Sequence, residues 1–163
     1  MLSSLSTAIA ALAAAVAALF TYMYTRSANA TLRSQLFLAF SDRYSEPAMS
    51  DAIIKLMKWR EEHPTDFADV WFAKYQAGDE EALQLERARR ALNRYFVDIA
   101  RLYESKQVDK KLAYVLLGHF GLDVYYEVCH PMWRKVYPSG YRDYTGLLKT
   151  IRPRYGADGL QGQ

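Results

Sequence analysis

The sequence is short of the features that usually announce a chemistry. Its single cysteine, Cys129, leaves no disulfide possible within the chain, and nothing in it calls for an oxidising compartment. Five prolines and eight glycines in 163 residues are too few for a loop-rich or disordered chain. Only three histidines are present, and no phosphate loop, nucleophile elbow or zinc-ligand spacing occurs. No β-alternating run of useful length and no long internal repeat is found. The net charge of +3 is too small to indicate nucleic acid as a partner.

Charge is also missing locally. No charged residue precedes Arg26, and Leu5 to Tyr24 is an uncharged, alanine-rich stretch long enough, at about 1.5 Å per residue, to cross a hydrocarbon core. Within it Leu5, Ile9, Leu12, Val16, Leu19 and Met23 recur at alternating steps of four and three, which puts the large side chains on one helix face. Ser6, Ala10, Ala14 and Ala18 recur every four residues on another face, the spacing that lets two membrane helices pack closely, so a homo-oligomer through this segment is a candidate. Phe20, Tyr22 and Tyr24 suit an interface at its downstream end.

The first expectation is therefore a transmembrane signal anchor over residues 1–25. Arg26 and Arg33 follow it, so the positive-inside rule places the N-terminus outside an inner membrane and the rest of the chain in the cytoplasm. Two other readings remain. Ala28-Asn29-Ala30 resembles a signal-peptidase pattern, which would give a secreted helical protein cleaved after Ala30. A soluble alanine-rich helix is the third, since alanine contributes little to insertion.

The remainder reads as one helical domain over residues 26–152 with a loose tail over 153–163. Helical periodicity runs on from Thr25 to Tyr44; Ser45-Glu46-Pro47 then opens a helix that Pro64 stops. Thr65 is the expected cap of a short helix ended by Gly78, and Asp79 that of a long one to about Ser105. Leu85, Ala88, Leu92, Tyr95, Ile99 and Leu102 form its apolar stripe, with Glu86, Arg87, Arg89 and Arg90 read as a solvated face carrying local ion pairs. Asp109 starts the next helix, Pro131 kinks or restarts the one over 122–137, and a last helix spans about 141–151. The fold class is all-α: one N-terminal transmembrane helix followed by a compact bundle of five or six helices.

Phe40 to Trp59 and Ala91 to Lys135 together carry a hydrophobic and aromatic pattern that resembles a widespread bacterial domain of unknown function. The resemblance implies a membrane-anchored helical module with no assigned reaction, and it offers no functional residues to carry over.

Two constellations could carry chemistry. Glu127 and His130 match the Glu-x-x-His pair of di-iron bundles, and His119 and Asp123 extend the series at steps of four. A second such pair is absent, so no metal or other cofactor is expected, and an enzyme site at these four residues is kept as the alternative. Arg134, Lys135, Arg142, Lys149, Arg152 and Arg154 form a basic C-terminal stretch among aromatics, which suits contact with an anionic membrane surface. The leading expectation is a non-catalytic membrane-anchored interaction module or accessory subunit with a membrane or cytoplasmic protein partner.

Overall fold

The computed structural model describes residues 2–118, 120–138 and 143–152, with side chains described from Ala14 onward. The described elements are helical, and the chain divides into two compact units, Met1–Leu38 and Ala39–Gln163. The expected tail over 153–163 lies outside the described residues.

Helix α1 spans Leu2–Ser45, 44 residues without a break at Ser27–Asn29. Among the described residues no helix is long and apolar enough to cross a membrane. This corrects the expected transmembrane helix, and with it the signal anchor, the single-pass reading and the inner-membrane placement. The physical reason is composition. Alanine buries little apolar area per residue, and from Ala14 on the helix takes in Thr21, Thr25, Arg26, Asn29 and Arg33. The Thr21 and Thr25 hydroxyls bond back to the carbonyls of Ala17 and Thr21, at 2.9 and 2.8 Å.

In the second unit α2 (Pro47–Glu62) and α3 (Phe67–Gln76) pack against α4 (Glu80–Glu104). Asp79 caps α4 by accepting from the Ala82 amide at 3.0 Å, as its position before an amphipathic run implies. The other expected caps differ. Glu46 and Asp66 occupy the cap positions of α2 and α3, without side-chain cap bonds, so the Pro47 start and tertiary packing fix those ends. Gly78, at φ +75°, makes the left-handed turn between α3 and α4.

Leu85, Leu92, Tyr95, Phe96 and Ile99 of α4 are buried, facing Met49, Ile53, Leu56 and Trp59 of α2 in the core. Two buried indoles find acceptors: Trp59 donates to the Phe67 carbonyl at 3.0 Å and Trp71 to that of Ala82 at 3.1 Å. Phe40 and Tyr44, at the end of α1, pack on the Tyr95 ring at 5.6 and 5.2 Å.

After α5 (Lys110–Leu116), capped by Asp109, α6 (Gly121–Val124) passes through a π-helical turn, Tyr125–Cys129, into α7 (His130–Val136). Pro131 explains the wide turn. Its ring would clash with the Glu127 carbonyl in an α-helix and it has no N–H to donate. The His130 amide reaches back to the Tyr125 carbonyl instead, so the backbone hydrogen bonding continues through the turn into α7. Helix α8 (Thr145–Ile151) closes the unit, buried through Leu148 and Ile151.

Candidate functional site

The π-turn disperses the residues of the proposed metal pair. More residues per turn means that positions three apart no longer share a face. Glu127 forms an ion pair with Arg60 of α2, while His130 faces Asp143, with Nε2 3.0 Å from its carboxylate. Asp123 is exposed, and His119 lies outside the described residues. No group of three or more histidine, cysteine or acidic side chains gathers among the described residues. Cys129, next to both, is fully buried, and burial pushes its thiol up to about 12.

The basic C-terminal stretch is dispersed in a similar way. Lys135 pairs with Asp69, Lys149 lies 5.6 Å over the Tyr126 ring, and Arg152 lies 4.9 Å over that of Tyr114. Arg134 is exposed. Arg142 and Arg154 lie outside the described residues. Of the small-residue stripe, Ala14 and Ala18 are exposed, and the side chains of Ser6 and Ala10 lie outside the described ones.

A different set of residues converges. Arg89, Arg90, Asn93, Val97 and Arg101 of α4 form one wall of a cavity of about 270 Å³. His130, Trp133 and Tyr137 line it from the α7 end, and Asp143 and Tyr144 from the segment before α8. The spacing explains the α4 wall: positions 90, 93, 97 and 101 fall at steps of three and four on one face, beside the apolar stripe.

The electrostatics of this wall begin with a buried ion cluster. Glu86 and Arg89, read from sequence as solvated, are 4% and 2% exposed. Arg89 donates to both Glu86 oxygens at 2.7 Å, through Nε and Nη2, and Arg90 Nε adds a third bond at 2.6 Å. Burial pushes the Glu86 carboxyl up, but the two guanidinium groups outweigh it and hold it below the usual carboxylate range. The ion pairing expected of this face is therefore present, but its carboxylate is inside. Asp143 behaves alike: burial raises its carboxyl, while bonds from the Thr145 hydroxyl and amide and from His130 lower it further. The rings are ordered too. His130 and Trp133 stack at 5.8 Å and 22°, and Trp133 meets Tyr137 at 6.1 Å.

Sequence reading missed this site because its residues come from three separate segments. The one available signal was the run of Arg90, Asn93 and Arg101 with Val97 on one face, adjoining the apolar stripe. Comparison with family models, curated proteins and solved structures finds no match, so the resemblance to a bacterial helical domain rests on the sequence pattern alone.

Proposed function

We infer that this chain is a non-catalytic helical interaction module that assembles through α1 with a second copy of itself. The observation that carries this reading is the surface of α1. Every residue from Ala14 to Gln35 is exposed, among them Val16, Leu19, Phe20, Tyr22, Met23 and Leu32. Helices in proteins gain most of their stability by packing one face, and these exposed large side chains gain by lying on another helix.

The sequence of α1 specifies the kind of partner. Leu5, Ile9, Leu12, Val16, Leu19 and Met23 alternate steps of four and three, the a/d repeat of a coiled coil. With no charge before Arg26, this seam carries no charge pattern that would select an unlike chain or repel its own copy. The flanking alanines allow close approach. The chemistry-bearing side chains of the former enzyme reading are held in structural contacts, Glu127 on Arg60 and His130 on Asp143, which fits a binding role.

Sedimentation equilibrium of the intact chain tests this. A concentration-dependent dimer or small oligomer is expected, which Val16→Asp with Leu19→Glu converts to monomer while the far-ultraviolet spectrum stays helical. A wild-type chain monomeric throughout the micromolar range would end the reading.

A further inference from the structure

The charges around the cavity on α4 are unequal. Arg89, Arg90 and Arg101 bring three positive charges against two negative ones from Glu86 and Asp143, and three minus two leaves one positive. Asp143 does not cancel that excess again, because its carboxylate already accepts from Thr145 and faces His130.

The other wall is aromatic. The stacked His130–Trp133 pair continues into Tyr137, a platform for a flat apolar group. The volume of about 270 Å³ lies just under the usual range of ligand cavities, about 300–1,000 Å³, and so suits a one-ring molecule.

We propose that this cavity binds a small aromatic anion, a carboxylate or phosphate monoester, with its oxyanion toward Asn93 and Arg101 and its ring on Trp133. The Arg101 guanidinium supplies charge-assisted donors in a fixed fork, which suits either oxyanion. The site lies wholly within the second unit and is independent of assembly through α1.

Calorimetric titration of the intact chain with benzoate and with phenyl phosphate tests the assignment, and comparison of the two separates carboxylate from phosphate. Saturable one-to-one binding of at least one is expected, with benzyl alcohol silent. Arg101→Gln, an exposed position that leaves the Glu86 cluster intact, should weaken binding about tenfold or more. Trp133→Leu should weaken phenyl phosphate binding and leave inorganic phosphate unaffected. Absence of binding by both anions, equal binding of benzyl alcohol, or full affinity in Arg101→Gln would overturn the proposal. So would inorganic phosphate binding as tightly as phenyl phosphate.

Discussion

Removing the charge of Glu86 should expose how much of the second unit rests on one buried cluster. The carboxylate is 5% exposed and its main partner, Arg89, 3%. In Glu86→Gln the shape is kept, but one of the two Arg89 bonds loses its acceptor and the guanidinium stays buried without a counter-charge. Breaking a buried pair from one side costs about 3–5 kcal/mol. The third bond adds little, because Arg90 is 61% exposed, and such a partner contributes up to about 1 kcal/mol. Glu86→Gln is therefore expected to lose about 3–5 kcal/mol, a large part of the stability of a domain this size. Replacing both partners, as in Glu86→Leu with Arg89→Met, should cost much less than the sum of the single changes, because no buried charge is then stranded. Urea unfolding followed by tryptophan fluorescence reads the second unit alone, since Trp59, Trp71 and Trp133 all lie in it. The pH dependence has a fixed sign. Because the folded carboxyl sits below its ordinary value, the stabilisation is present above the unfolded pKa and is lost as pH falls through the folded one. A loss under about 1 kcal/mol in Glu86→Gln, or strictly additive single and double changes, would refute this account of the cluster.

Two smaller perturbations follow from the same structure. Lys106 ends α4 in the left-handed region, at φ 60°, with its amide on the Tyr103 carbonyl and that of Gln107 on Leu102. Lys106→Gly keeps this termination without the Cβ penalty and should raise the unfolding free energy by about 0.5–1 kcal/mol, read as a higher urea midpoint; a lowered midpoint would contradict it. The Cys129 thiol, fully buried and pushed up to about 12, should not react with a thiol reagent at pH 8 in native protein, and should react promptly in urea. Prompt labelling of the native chain would show that the π-turn is open.

Much of the second unit was legible because its signals are local. The Asp79 and Asp109 caps and the 85–102 stripe of α4 need only helix periodicity and a side chain that reaches an amide. Ser45-Glu46-Pro47 and Thr65 read as equally good helix starts, yet Glu46 and Asp66 occupy the cap positions there without side-chain cap bonds. Pro131 was correctly read as a disturbance, but sequence could not tell a kink from a π-turn, and that choice decides where Glu127 and His130 point. The buried Glu86–Arg89 pair was hidden by the rule that charged residues face water, which holds unless the charges satisfy each other. The N-terminal expectation failed differently. Length and lack of charge in Leu5 to Tyr24 point to a span, but α1 is alanine-rich, runs unbroken into Arg26 and Arg33, and is not apolar enough to cross a membrane.

Whether α1 is covered by a second copy is tested most directly by amide hydrogen exchange across residues 14–33, measured on the intact chain at several concentrations. An exposed helix without tertiary contacts frays and exchanges quickly, whereas a paired seam is protected. Protection at Val16, Leu19 and Met23 should rise with protein concentration, while that of the buried α4 residues Leu92 and Phe96 stays constant. Exchange across residues 14–33 that is fast at every concentration would contradict assembly through α1.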